Sequence, residues 1–344
     1  MVWIHGGAFV SGSSKTELCG PEFLMTQDIV LVTFNYRVGM LGFMSFEDDS
    51  VKVPGNAGLK DQVLVLKWVQ KNIARFRGDK RNVTLFGQSS GAACVHLHML
   101  SPMSRGLFHK AIMQSGCALN PWVNGVRGSG RLLANVLGIK GNDEKILEKM
   151  RDIPVEKIFE AQEKLTNANM VDVKWFSSPV IEKQKRYPAF ISDEPINIIR
   201  SGDYHKVPMI IGYTSREGIY WDIYNQLMTG KSEIITDFTT VIPNNLNARK
   251  GSLLYQTIAD RIKAFYWGPR LYQTRMGRHP RLKDMEPLYQ LLTDVFFLRG
   301  IHCTVKNHYE MSPETPIYYY RFSFETRLNV FKQMLPPALQ MKYP

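Results

Sequence analysis

The chain has 344 residues, of which 44% are hydrophobic and 22% charged, and its formal net charge is +12. That balance suits a globular protein with a sizeable core, as one large domain or two ordinary ones. No apolar run in the chain approaches the ~20 residues that a bilayer span requires, so no transmembrane segment is expected in this stretch. The positive charge is spread out. Its densest run, Arg75-Phe-Arg-Gly-Asp-Lys-Arg81, reads as a solvated loop rather than a nucleic-acid stripe. No nucleic-acid partner is expected. The apolar Met1 to Ile4 is too short for a signal-peptide core, so a cytoplasmic location is the default expectation. The cysteines Cys19, Cys94, Cys117 and Cys303 lie far apart and show no metal spacing. Cys94 is expected to be a small buried apolar residue. Asn82-Val-Thr84 spells a glycosylation sequon, but it runs straight into an apolar strand and is discounted.

In chain order, Val2 to Ile4 reads as a strand and is followed by His5-Gly-Gly-Ala8. Ile29 to Tyr36 is a nearly continuous apolar, β-branched run. It is expected to be a parallel strand covered on both faces. Arg37 to Pro54 reads as loop. A helix is expected over Val63 to Phe76, with Leu64, Trp68 and Ile73 at helical spacing. Val83 to Phe86 is a strand and Ala92 to Leu100 a helix. Phe108 to Gly116 is a further strand, and a charged helical region spans Ser129 to Leu165. Lys206 to Tyr213 is a strand, helical patterns fill Tyr220 to Tyr309, and Pro316 to Phe322 is the last strand. Strands alternating with helices imply an α/β parallel sheet. There are no repeats and no low-complexity linker, so residues 1–344 are expected to form one domain.

The chemistry centres on Gly87-Gln-Ser-Ser-Gly91, which lies between a strand and a helix. That is the setting of a nucleophile elbow. The turn is sharp. Gly87 and Gly91 keep Cβ atoms from colliding, and the Ser89 hydroxyl is lifted to the top of the sheet. Serine acyl transfer also needs N–H donors aimed at the developing oxyanion, and one donor is worth about 10²–10³ in rate. The N–H of Ser90 suits that role, as do those of Gly7 and Ala8, with Gly6 allowing the tight backbone. His5 is expected to support this loop rather than to act as a base.

Six stretches together resemble the type-B carboxylesterase/cholinesterase family and occur in its order. They are Trp3-Ile-His-Gly-Gly-Ala-Phe, Asn35-Tyr-Arg, Gly55-Asn-Ala-Gly-Leu-x-Asp-Gln, Asn82-Val-Thr-Leu-Phe-Gly-x-Ser-x-Gly-Ala, Met113-Gln-Ser-Gly and Gly212-Tyr-Thr-Ser-Arg-Glu-Gly. Arg105 to Ile112 and the Glu217 stretch look most similar to insect α-esterases. The resemblance implies an α/β-hydrolase fold, with a mainly parallel central sheet flanked by helices. It implies hydrolysis of small-molecule carboxylic esters with no cofactor and no metal. Ser89 matches the family nucleophile and Glu217 its triad acid. Gly7, Ala8 and Ser90 match its oxyanion donors, and Ser115 a supporting hydroxyl near the triad.

Two departures bear on the chemistry. Gln88 stands where the family usually has Glu, which removes a charge beside the nucleophile. The family's catalytic His lies in a loop after the last strand, and this sequence has no His after His308. Neither His302 nor His308 is expected to replace it, so the chain as written is expected to have little or no esterase activity. Relative to the family pattern the sheet looks incomplete at the N-terminus and after the last strand, as in a partial carboxylesterase domain. The rival reading is an inactive cholinesterase-like adhesion or binding protein, or a pseudoenzyme that sequesters ligands. Retention of Ser89, Glu217 and the Gly loop favours a hydrolase. Trp122, Phe176 and Trp221 are candidates either for pocket walls or for plain core.

Overall fold

The computed structural model describes residues 1–16, 20–166, 176–183, 188–223, 235, 237–242, 246, 248–268 and 282–325. In chain order the elements are β1 (Val2–Ile4), β2 (Val32–Thr33), α1 (Gly39–Phe43), α2 (Ala57–Asn72), β3 (Thr84–Gln88), α3 (Ser90–Leu100), β4 (Lys110–Gln114), α4 (Ser129–Val136), α5 (Asp143–Arg151), α6 (Val155–Thr166), α7 (Pro195–Ser201), β5 (Met209–Thr214), α8 (Leu253–Trp267), α9 (Leu282–Thr293), α10 (Arg299–Met311) and β6 (Ile317–Phe322). The sheet order is β2-β1-β3-β4-β5-β6. Each pairing from β2 through β5 is parallel. Parallel neighbours end on the same edge of a sheet, so the turns after β1, β3 and β4 lie side by side.

The chain divides into two compact units. The first holds Met1–Gly212 and Arg299–Tyr320, and with them most of the sheet. Its centre is α3, which is buried along its whole length. A helix with no exposed face belongs inside a core. Its two histidines are buried as neutral rings. His98 donates from Nε2 to Gln62 Oε1 at 2.8 Å and accepts from the Ser104 hydroxyl at 2.6 Å. His96 accepts from the Ala118 N–H at 3.0 Å through Nδ1, so its Nε2–H points to His308 Nε2, 2.8 Å away. Burial pushes His98 down to about 3 and His308 down to about 4, and takes His96 well below the usual range. A second cluster in this unit packs Met40, Phe46, Leu133, Ile146, Met150 and Ile158, with Phe176 against it.

The second unit holds the described residues from Tyr213 to Leu298 and from Arg321 to Glu325. Helix α8 is capped by Ser252, whose hydroxyl accepts from the Tyr255 N–H at 3.2 Å. Trp221 packs on Phe296 with ring centroids 5.0 Å apart. The Tyr289 hydroxyl donates to the buried Asp222 at 2.6 Å.

Four expectations need correction. The run Ile29 to Tyr36 contributes only Val32–Thr33 to the ladder, and Thr33 is exposed. It is parallel as expected, but with Val32 half-buried and Thr33 exposed it is not covered on both faces, and among the described residues it pairs only with β1. The stretch Arg37 to Pro54 is not all loop, since it holds α1 and a 3-10 turn at Asp49–Val51 capped by Asp48. Helix α2 begins at Ala57, and its buried face is Leu59, Val63, Leu66 and Val69. Leu64 and Trp68 point outward, 64% and 47% exposed, with Trp68 beside Phe76 at 5.8 Å. Helix α3 begins at Ser90, two residues before the expected start. Cys94 is buried as expected, and Cys19 lies outside the described residues.

Candidate active site

The site is built from turns at the ends of β1, β3 and β4. Ser89 stands between β3 and α3 with φ 58° and ψ −124°. An L-residue rarely adopts that backbone, and holding it there costs of order 1–3 kcal/mol. Glycine spacing makes the turn possible. A Cβ on Gly87 would lie 2.6 Å from the Gly91 backbone. A Cβ on Gly91 would lie 2.1 Å from the Ile4 carbonyl of β1. One on Gly116, after β4, would lie 2.3 Å from the Ser89 carbonyl. The Ser89 N–H donates to the Gln114 carbonyl at 2.8 Å, so the β3–β4 ladder runs one residue into the turn. The strained serine is thus pinned by contacts that leave no space for side chains.

The loop after β1 comes against this turn. A Cβ on Gly6 would lie 3.2 Å from Ser89 Cβ and 2.9 Å from Gln88 Oε1. Gln88, exposed at the end of β3, therefore rests its amide against the loop. Gly7, Ala8 and Phe9 all have positive φ, at 120°, 54° and 62°. The Gly7 carbonyl turns inward and accepts from Val10 N–H and Ser11 N–H, each at 3.0 Å. Among the described residues, the N–H groups of Gly7, Ala8 and Ser90 donate to no other group of the protein. Ser90 also opens α3, where the helix dipole favours negative charge.

Ser115 follows β4 with φ 60°, and its N–H donates to the Gly212 carbonyl at 2.9 Å. It is buried. Trp122 is buried against Phe9, with centroids 6.2 Å apart. Its ring also lies 3.2 Å from where a Gly116 Cβ would be, so it flanks the elbow. Phe176 and Trp221 instead pack into the clusters described above.

Glu217 belongs to the second unit. Its Oε1 accepts from the Thr214 N–H at 2.6 Å, in the turn just after β5. The next residue, Gly218, donates its N–H to the Thr293 hydroxyl at 2.9 Å. A Cβ on Gly218 would lie 2.2 Å from the Tyr289 carbonyl. The neighbouring Arg216 pairs with Glu286 at 3.2 Å.

The histidines fall into structural positions. His5 stacks on Tyr36, 4.4 Å between centroids, and its Nδ1 donates to the Gly6 carbonyl at 2.8 Å. Burial lowers its pKa, opposed by that hydrogen bond. His308 is paired with His96, and His302 is exposed on α10. His109 Nδ1 accepts from the Val83 N–H at 3.2 Å, and His205 donates to the Phe108 carbonyl at 2.7 Å. His279 lies outside the described residues. Among the described residues, no group of three or more His, Cys, Asp or Glu side chains is arranged to hold a metal ion. No helix among them is long and apolar enough to cross a membrane. Sequence reasoning named the elbow and its loop but gave no role to Tyr36, whose motif Asn35-Tyr-Arg was in view.

A parallel sheet flanked by helices, with a strained serine between strand and helix, defines an α/β-hydrolase fold. The model of the carboxylesterase family matches residues 1–341. Juvenile hormone esterase of Heliothis virescens is 31% identical over 345 aligned positions, covering 97% of this chain and 57% of that protein. Esterase B1 of Culex pipiens is 34% identical, covering 89% of this chain and 56% of that one. The crystal structure of juvenile hormone esterase from Manduca sexta, with OTFP covalently attached, superposes with a TM-score of 0.78 at 31% identity. It covers 96% of this chain and 60% of that chain. The chain therefore belongs to the carboxylesterase family. It spans somewhat more than half the length of these relatives.

Proposed function

We propose that this chain carries the acyl-transfer machinery of a serine carboxylesterase and acts on small-molecule carboxylic esters. The observation that carries the reading is the backbone of Ser89, held at φ 58° and ψ −124° against the Gly6–Ala8 loop. A strained residue pinned from several directions is how a fold presents a nucleophile. In the proposed reaction Ser89 Oγ attacks the ester carbonyl carbon and passes its proton to a general base, a role that none of the described histidines is placed to fill. The C=O π pair moves to oxygen, which the N–H groups of Gly7, Ala8 and Ser90 receive. Collapse of this intermediate expels the alcohol, which takes the proton from the base. Water then repeats the sequence on the acyl-enzyme and releases the acid. Glu217 is the carboxylate that orients the base, and Ser115 supports the elbow from β4. Phe9 and Trp122, both buried, pack on each other beside the elbow and back the loop after β1. Residues 1–344 are read as one carboxylesterase domain, in keeping with the family match over 1–341.

The test is to purify the protein at its natural length and treat it with a fluorophosphonate probe. The expected result is hydrolysis of p-nitrophenyl acetate, and a single adduct on the peptide that contains Ser89. Ser89→Ala should abolish both, with a loss of about 10⁵-fold or more in kcat. An adduct elsewhere, or turnover that survives Ser89→Ala, would refute the assignment.

A further inference from the structure

The segment after β2 has no part in the reaction above, yet it touches both halves of the oxyanion hole. The Tyr36 hydroxyl, buried, donates to the His5 carbonyl at 2.9 Å. Its ring stacks on the His5 ring at 4.4 Å with 19° between planes. The same His5 carbonyl faces the start of α3, since a Cβ on Gly91 would lie 2.8 Å from it. One carbonyl oxygen therefore sits between the Tyr36 hydroxyl and the residue next to Ser90. On the loop side, Gly7 and Ala8 follow His5 by two and three residues. The residues flanking Tyr36 are fixed too. Asn35 Oδ1 accepts from the Ser14 N–H at 2.8 Å, beyond the far end of the loop. Arg37 grips Asp61 of α2 through two guanidinium hydrogen bonds, at 2.8 and 2.7 Å. Tyr36 is thus held between two anchors and has little freedom to follow a loop that shifts.

We propose that Tyr36 is a positioning residue of the oxyanion hole, setting the spacing between the loop donors Gly7 and Ala8 and the helix donor Ser90. This rests on the reading of Ser89 as the nucleophile. The hydroxyl is a dependable donor. Burial pushes its pKa well above the usual range, the nearby Cys94 thiol adds to this, and the Ser90 hydroxyl opposes it. It stays protonated at any working pH. Oxyanion donors act over a narrow window of distance, so a loop displaced by a few tenths of an ångström loses transition-state binding while ground-state binding is kept.

Tyr36→Phe keeps the ring, its volume and the His5 stack, and removes only the hydrogen bond. The readouts are kcat and KM on p-nitrophenyl acetate, and the inhibition constant of an alkyl trifluoromethyl ketone. That ketone takes up Ser89 Oγ as a hemiketal whose oxygen anion occupies the same hole. We expect kcat to fall about tenfold, less than the loss for deleting a donor outright. KM should stay within twofold, and ketone affinity should weaken by the same factor as kcat. Unchanged kcat and ketone affinity would overturn the proposal. So would a loss shared by kcat, KM and melting temperature with ketone affinity unmoved, because that is the mark of a merely structural residue. A wild-type protein without turnover and without a Ser89 adduct overturns the hydrolase reading itself, and this proposal with it. Should Tyr36→Phe not fold, Asn35→Ala loosens the same loop from its far end. It should weaken ketone affinity without changing KM, and unchanged affinity there counts against the proposal.

Discussion

The turn around Ser89 and the turn around Glu217 are held by different means. At Ser89 the support is backbone against backbone. Gly87, Gly91 and Gly116 each approach a neighbouring main chain too closely for a side chain to fit. At Glu217 the support is mostly hydrogen bonding. The Thr214 N–H holds the carboxylate, and the Thr293 hydroxyl holds the following N–H. Gly218 is the one position there, among the described residues, with the tightness of the elbow. The first kind of support stores strain at a chosen residue, and the second orients a charge without straining it. A nucleophile gains from being thrust out of the sheet, whereas an acid that orients a base needs only a steady direction.

The sharpest way to break this comparison is Glu217→Gln. It should lower kcat by about 10⁴, the size seen when the triad acid of a serine protease becomes its amide. The melting temperature should barely move, because the side chain is partly exposed. A loss under tenfold would refute the proposal that Glu217 is the triad acid. Next come the two tight glycines. Gly91→Ala drives a methyl into the Ile4 carbonyl, and Gly218→Ala drives one into the Tyr289 carbonyl. Each should cost about 3 kcal/mol in urea unfolding, the upper range of overpacking. If either is neutral, that turn is looser than described.

Acid provides a gentler contrast. His96, His98 and His308 are neutral when folded, whereas in the unfolded chain a histidine takes a proton near its ordinary value of 6.5. Below that pH the unfolded state gains protons that the folded state refuses. Stability therefore falls as pH drops from 6.5 toward about 4 for His308 and about 3 for His98. The slope is about 1.4 kcal/mol per pH unit for each histidine. Hydrogen exchange at pH 5 should show α3 losing protection relative to pH 7, while α8 in the second unit changes less. Equal losses in both helices would erase this difference between the two regions.

The same distinction explains what could be read in the sequence. A turn with no room for Cβ atoms must write glycine at fixed spacing, so Gly87, Ser89 and Gly91 were legible from one short motif. His5-Gly-Gly-Ala8 was legible for the same reason. Glu217 has no such signature and came into view only through the family resemblance. Helix α2 shows how the period can be right and the face wrong. Leu64 and Trp68 suggested an apolar stripe, but the buried side includes Gln62, whose amide is satisfied by His98 and Cys94. A polar residue that finds its partners inside looks like a surface residue in the sequence. The run at Ile29 to Tyr36 misled in the opposite direction. Its apolar residues do not build a long ladder, and Tyr36 turns its hydroxyl to the loop after β1. Tertiary partners 31 positions apart in the chain leave no local pattern to find.

The central claim is that Ser89 is a nucleophile held in a backbone that suits only glycine. It is tested most directly by comparing the thermal stability of Ser89→Ala and Ser89→Gly, both of which should be inactive. At an ordinary position Ala is the more stable by about 0.5–1 kcal/mol, because glycine has more freedom to lose on folding. At Ser89 the order should reverse, with Ser89→Gly more stable by about 1 kcal/mol, since relief of strain outweighs that entropy. If Ser89→Ala melts higher, or if either variant still turns over ester, the elbow is not strained or Ser89 is not its nucleophile.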